Sequence, residues 1–306
     1  TWWSPSSILA GPGSSTMFAN GLALSADGGT LAVAWRGDAP SYTTAVEVYE
    51  RSGDGWVGTA SLAVPTLGIL SELALSADGS VLAVGARDGY WVEGLPSPGF
   101  VQMFAETGAG WEPTARLVAP DGVWDDRFGT SVALSGDGGT LVVGAIPPAP
   151  GEPSRAGVAY VFEDEGAGWG LEGRIESPSY FGFGWESAIS EDGSRLLVQG
   201  YDQDPGSVLV HGVVYAYARD GSTWDLEARF EGDAEDVTFG GALGLDADGS
   251  TGVIGSYQAD LYRGAAIVAR RTGSAWTRGE ALSNPGLGPN SALGVSVAIG
   301  GRTIAA

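Results

Sequence analysis

Residues 127–145 read RFGTSVALSGDGGTLVVGA, and this stretch decides the fold. Val132 and Leu134, then Leu141 and Val143, keep the period-two spacing of half-buried strands. Between them Gly136-Asp137-Gly138-Gly139 supplies the positive-φ positions that a hairpin turn demands. The stretch predicts strand, tight turn, strand.

The same unit recurs along the chain. Its first strand ends at Ser25, Ser76, Ser135, Ser190, Asp246 and Gly300, at spacings of 51, 59, 55, 56 and 54 residues. Turn aspartates follow at Asp27, Asp78, Asp137, Asp192 and Asp248, and the sixth copy shortens to Gly300-Gly301. A second marker, Trp-x5-apolar, appears as Trp3…Leu9, Trp56…Leu62, Trp111…Leu117, Trp169…Ile175, Trp224…Phe230 and Trp276…Leu282. Between the markers lies a third apolar strand, at 46–49, 101–104, 158–162, 213–217 and 266–268. Each unit thus has four strands: A (inner), B, C and D (outer, Trp-bearing). No helical pattern interrupts them. Tandem four-stranded units of about 50 residues predict an all-β chain folded as a β-propeller of four-stranded antiparallel blades. Each blade, apolar on both faces, is covered by its neighbours. The rim tryptophans are expected to pack.

A single domain over 1–306 is expected, with units near 17–68, 69–126, 127–180, 181–237 and 238–290. The sixth joins 291–306 to 1–16. Six blades are expected, or seven if the chain is a fragment. The N-terminal D strand, 1–10, closes the last blade and removes a free edge. That blade lacks a C strand, which is expected to lie outside these 306 residues. An open slot would instead invite self-association by strand addition.

Composition narrows the partners. Gly makes up 51 of 306 residues, against about 7% in ordinary proteins, and is spread as turn punctuation. Fifteen basic residues, all Arg, stand against 37 acidic ones, a net charge of −22. So acidic a surface repels phosphate backbones, so nucleic acid is not expected as a partner. No apolar run approaches the ~20 residues of a membrane span, so no membrane insertion is expected. The chain opens at Thr1 rather than Met, which suggests an upstream segment removed in processing. Zero Cys excludes disulfides, thiol catalysis and Cys-ligated zinc.

The run FGTSVAL…GDGGTLVVGA…GVAYVF resembles the FG-GAP repeat, the unit of the integrin α-subunit N-terminal propeller and of many bacterial surface and secreted proteins. The likeness extends to Phe183-Gly184, Phe239-Gly240 and Leu293-Gly294, and is degenerate at Phe18-Ala19 and Ile69-Leu70. It implies a propeller, usually seven-bladed, used for adhesion or ligand binding outside the cell. Integrin-like blades carry Asp-x-Asp-x-Asp calcium loops between strands A and B. Here one aspartate remains, and one carboxylate cannot supply the 6–8 oxygens calcium takes. The hairpin aspartates are therefore read as turn formers, and calcium is not carried over to them.

In a propeller the A–B and C–D turns share one face, and the B–C and D–A loops share the other. Here the first set is short and uniform. The B–C loops (36–44, 87–99, 146–156, 201–212, 257–264) and the D–A loops are long and different in every unit. Variable loops on a rigid scaffold are where binding usually sits. The candidate ligand-binding face holds Trp35, Tyr42, Arg87, Tyr90, Trp91, Trp124, Tyr180, Tyr201, Tyr262 and Arg263, among carboxylates such as Asp125, Asp126 and Asp260. Aromatic rings beside acids suit sugars and protein surfaces alike.

No cofactor is expected. Asp202 and Asp204, two apart before a proline turn, are the candidate metal ligands, with calcium the ion they would take. Glu72 and Glu186 share one repeat position, near the start of strand A, and are the candidates for an acid/base pair. Lying on non-adjacent blades, they are expected far apart across the channel, as wetted rim charges. His211, the one histidine, is expected to face solvent or pack a loop. No nucleophile elbow, P-loop or dinucleotide fingerprint is present.

The expected function is a non-enzymatic module, secreted or at the cell surface, that binds a carbohydrate or protein through the variable-loop face. A polysaccharide lyase or glycosidase acting at the channel mouth through Glu72 or Glu186 is the alternative. A structural subunit assembling by strand addition is the third reading.

Overall fold

The computed structural model describes residues 9, 11, 15–37, 44–64, 70–87, 98–122, 126–146, 157–176, 178, 181–203, 210–233, 236–284, 286, 288, 290–300 and 303–306. Five four-stranded antiparallel sheets account for most of them. The first holds β1 (Ser15–Leu24), β2 (Thr30–Gly37), β3 (Thr44–Ser52) and β4 (Gly55–Ala63). The second holds β5 (Leu73–Leu75), β6 (Val81–Ala86), β7 (Phe100–Thr107) and β8 (Gly110–Leu117). The third holds β9 (Val132–Leu134), β10 (Thr140–Ala145), β11 (Val158–Asp164) and β12 (Trp169–Glu176). The fourth holds β13 (Ser187–Ile189), β14 (Arg195–Gln203), β15 (Val210–Asp220) and β16 (Thr223–Glu231). The fifth holds β17 (Leu243–Leu245), β18 (Thr251–Ser256), β19 (Ala265–Thr272) and β20 (Ala275–Leu282). A two-stranded sheet of β21 (Ala298–Gly300) and β22 (Thr303–Ala305) follows. The chain is a β-propeller. The N-terminal closing strand expected at 1–10 lies outside the described residues, except for Leu9.

Every sheet is ordered inner to outer as the chain runs, and successive inner strands pack side by side, from β1 to β5, β9, β13, β17 and β21. Each hydrophobic core lies between two blades. Leu82, Val84 and Ala86 of β6 face the first blade, whereas Ala83 faces the third. This two-sided demand explains why the B strands read as apolar runs rather than as alternation. The rim tryptophans Trp111, Trp169, Trp224 and Trp276 are half-buried against the core shared with the preceding blade, as expected of packing residues.

The opening hairpin forms as predicted, but of its four central residues Gly138 alone takes a positive φ, of 72°. Asp137 accepts hydrogen bonds from the Ser135 hydroxyl (2.6 Å) and the Gly139 amide (2.9 Å). Gly136 serves another purpose. Its amide donates to Glu191 O at 2.8 Å, and its carbonyl accepts from Ala77 N at 2.8 Å. Ala26 N to Ala77 O (3.0 Å) and Asp192 N to Ala247 O (3.2 Å) extend the series. The uniform face is therefore tied blade to blade by backbone hydrogen bonds between turns.

Two corrections concern elements. One helical turn, α1 (Ala259–Tyr262), stands where no helix was expected, inside the fifth B–C loop. The fourth B–C connection is shorter than 201–212. There β14 continues through Gln203 and β15 begins at Val210, pairing Asp202 with His211. His211 is buried inside this ladder, at 6% exposure, and does not face solvent.

Candidate functional site

Strand A enters each blade from the variable-loop face, so the residues that precede it ring that end of the channel. Glu72 stands immediately before β5 and Glu186 immediately before β13. Their carbonyls accept from Gly85 N and Gln199 N, each at 2.9 Å, which locks both backbones onto strand B. A single inner strand, β9, separates them, and its matching residue is the small, fully buried Ser131. Glu72 reaches onto that strand, and its Oε2 accepts the Val132 N–H at 2.8 Å.

The two carboxyls are close enough for their charges to interact. The Glu72 charge acts directly on Glu186. Each of the two residues keeps part of its surface in contact with water, and the rest is enclosed by protein. For ionisation the enclosure matters more than the remaining contact with water, because it removes the bulk solvation that a carboxylate needs. Burial pushes Glu72 up to about 8, against the opposing Val132 N–H bond. Burial, and then repulsion from Glu72, holds Glu186 well above the usual carboxylate range. No arginine figures among the causes of either shift. Only Ser131 of one inner strand lies between them, and Glu72 is long enough to reach that strand, which is why the expected isolation across the channel does not hold.

Trp185 was missed by sequence reasoning. It follows Phe183-Gly184, where other units have Ser71, Thr130, Gly241 or Val295, and a tryptophan among such residues was the available signal. It is 39% exposed. The Arg87 guanidinium lies 5.9 Å from its ring centroid. Arg87 follows β6 of the second blade, so blades two and four contribute Arg87, Glu72, Trp185 and Glu186 to one channel mouth.

Other candidates are engaged elsewhere. Trp35 lies on β2, not in a loop, and donates from Nε1 to Glu47 Oε1 at 2.9 Å. Tyr201 stacks on Phe181, with centroids 5.0 Å apart and planes 15° apart. Asp202 pairs with Arg229 at 2.6 Å. Tyr262 ends α1 with φ 65° and is 51% exposed, and Arg263 follows it, its carbonyl accepting Leu293 N at 3.0 Å. Tyr42, Tyr90, Trp91, Trp124, Tyr180 and Asp204 lie outside the described residues. Among the described residues no three His, Cys, Asp or Glu side chains gather as metal ligands.

The FG motif joins neighbouring blades by close backbone contact. A Cβ on Gly144 would overlap the Gly184 carbonyl oxygen, and one on Gly157 would overlap that of Phe183. Phe183 is fully buried, edge-on to Tyr215 at 5.8 Å. Each Phe-Gly step is thus wedged into backbone of the preceding blade, and the residues after it, Trp185-Glu186 in the fourth unit, are presented to the channel.

Known proteins agree with this architecture. Residues 111–162 match the FG-GAP repeat family. No curated protein matches the chain in sequence. Among solved structures, a Lactobacillus plantarum protein is 15% identical with TM-score 0.56, the match covering 87% of this chain and 71% of that one. Hydrazine synthase of Kuenenia stuttgartiensis is 16% identical with TM-score 0.57, covering 92% and 77%. A Bacteroides fragilis protein provisionally named a 6-phosphogluconolactonase is 12% identical with TM-score 0.56, covering 87% and 71%. At such identities the likeness is one of fold. The chain is a β-propeller in which residues 111–162, from the outer strand of the second blade to the third strand of the third, match the FG-GAP repeat.

Proposed function

We propose that this propeller is a non-enzymatic binding module, secreted or at the cell surface, that takes a carbohydrate or protein ligand at the loop-side mouth of its channel. The observation that carries this reading is the convergence of Arg87, Glu72, Trp185 and Glu186 from two non-adjacent blades. A half-exposed tryptophan beside a guanidinium offers a stacking surface, and the acids beneath it offer hydrogen-bonding groups. The test is a glycan and peptide array probed with wild type and Trp185→Ala. Capture that disappears in the variant, with Tm preserved, supports the reading. Capture that survives the substitution, or a blank array, counts against it.

A second reading rests on the protonation of the glutamates. A carboxyl that stays protonated near neutral pH can act as a general acid. A lyase or glycosidase at the same mouth would lose its turnover of a polysaccharide panel in Glu186→Gln while still binding substrate.

A further inference from the structure

The outer wall between the third and fourth blades is hollowed by a cavity of about 440 Å³, within the roughly 300–1,000 Å³ of small-molecule sites. One side is β12, with Gly173, Arg174, Ile175 and Glu176. The other is Tyr217 of β15, Ser222 of the C–D turn, and Trp224 and Leu226 of β16. The sides approach most closely at Gly173, where a Cβ would stand 3.9 Å from Ser222 O. Tyr217 sets this joint apart. The second and third blades carry Phe104 and Phe162 at the same place in strand C, so its hydroxyl is an addition to a packing position. Tyr217 is 4% exposed and lies edge-on to Phe183, yet among the described residues no hydrogen bond reaches its hydroxyl. A buried tyrosine hydroxyl ordinarily finds a partner. Burial, and then Tyr215, keep the phenol protonated, so it can both donate and accept. The next joint shows what is missing here. Between the fourth and fifth blades Trp276 Nε1 closes onto Glu227 at 2.9 Å, whereas the matching atoms at this joint, Trp224 Nε1 and Glu172 Oε2, are both buried and unpartnered. Leu226, on the same strand as Trp224, is 51% exposed. Charge is already balanced, because Arg174 pairs with Asp121 and with Glu176, the latter at 3.6 Å. Its guanidinium is therefore not free to receive an anion.

We propose that this groove is a second ligand site, on the outer wall and separate from the channel mouth, and that it takes a small neutral saccharide. The C–H face of a sugar ring lies against Trp224 and Leu226, and a ring hydroxyl exchanges a hydrogen bond with the Tyr217 hydroxyl. A sugar answers all three properties of the cavity: its apolar wall, its balanced charge, and a buried hydroxyl that lacks a partner. A peptide strand answers them less well. It would pair with the outer edge of a D strand, and each four-stranded blade offers such an edge. The free hydroxyl, by contrast, is absent where Phe104 and Phe162 stand in its place.

The test is saturation-transfer NMR and isothermal titration of the full chain with maltose, cellobiose, lactose and chitobiose, against digalacturonate and the strand-forming peptide acetyl-Thr-Val-Thr-Val-amide. At least one neutral disaccharide should bind, and digalacturonate should not. Tyr217→Phe should weaken that binding roughly fivefold, the worth of one hydrogen bond. Phenylalanine already serves at this position in two blades, so the variant should keep its melting temperature. Gly173→Val, which sets a branched side chain into the groove, should abolish binding, with circular dichroism showing that the variant folds. Binding that survives both substitutions, preference for the peptide, or no binding by any of the four sugars overturns the proposal. If binding survives both and is lost in Trp185→Ala, the sugar occupies the channel mouth, so the groove falls and the mouth reading stands. If the groove variants lose the sugar while array capture survives Trp185→Ala, the groove stands and the mouth reading falls.

Discussion

Glu186 and Asp137 are both carboxylic acids on inner hairpins, and their surroundings push them in opposite directions. Glu72 and Glu186 hold their protons in the folded chain above the value they have unfolded. The native state then binds more protons than the unfolded one, so stability is unaffected below the unfolded value and falls as pH rises towards the folded one. Glu186→Gln, which cannot ionise, should melt several degrees above wild type at pH 8 and equally with it at pH 4, in melts followed by circular dichroism. A variant that melts below wild type at pH 8 would mean that the carboxylate is stabilised after all. Asp137 has the contrary sign. The Ser135 hydroxyl and the Gly139 amide hold it below the usual range, so its contribution is present above the unfolded value and lost as pH falls through the folded one. Asp137→Ala should cost about 1 kcal/mol at pH 7 in urea unfolding, a loss that shrinks towards pH 3. The turn aspartates were legible from residue type and spacing alone. The glutamate pair was legible as a position but not as a pair, because repeat phase gives the level along the channel and says nothing of its width.

At the scale of strands and turns, the blades are joined by devices that periodicity does not register. Gly144 of β10 packs directly against the Phe-Gly step of the next unit, so a Cβ at Gly144 must displace backbone. Gly144→Ala should destabilise by about 3 kcal/mol or more, whereas Gly108→Ala, in an open C–D turn, should change little. Chemical denaturation of the pair measures this directly. The outer strands carry a second joint. Glu227 of β16 accepts Arg271 Nε at 2.7 Å and Trp276 Nε1 at 2.9 Å, so the fifth blade clasps the fourth. Arg271, then Trp276, outweigh the burial of Glu227 and hold its carboxyl below the ordinary range. The clasp is therefore formed above the unfolded value and weakens as pH falls through the folded one. Glu227→Gln should cost about 1.5–3 kcal/mol at neutral pH, the range for a hydrogen bond to a charged group, and less in acid. The strands themselves could be read from the sequence because apolar spacing and Gly-Asp turns repeat. The clasps could not, since their partners lie 44 and 49 residues apart with nothing local to mark them.

As a whole molecule, the propeller divides its labour between two ends. The uniform end is built of turns hydrogen-bonded from blade to blade, Ala77 to Gly136 and Gly136 to Glu191. The other end bears the long loops, and there Arg87, Glu72, Trp185 and Glu186 converge. That division was visible in the sequence as a contrast in loop length. The residues that meet at the mouth were only partly visible, since Arg87 and the glutamates stood out and Trp185, hidden behind its Phe-Gly step, did not. Hydrogen–deuterium exchange of the full chain with its array ligand, read peptide by peptide, tests the division most directly. Ligand should slow exchange in peptides spanning 70–73, 85–87, 128–132 and 183–187, and leave the Asp turns at 77–80, 136–139 and 191–194 unchanged. Protection confined to those turns, with none at the mouth, would contradict it.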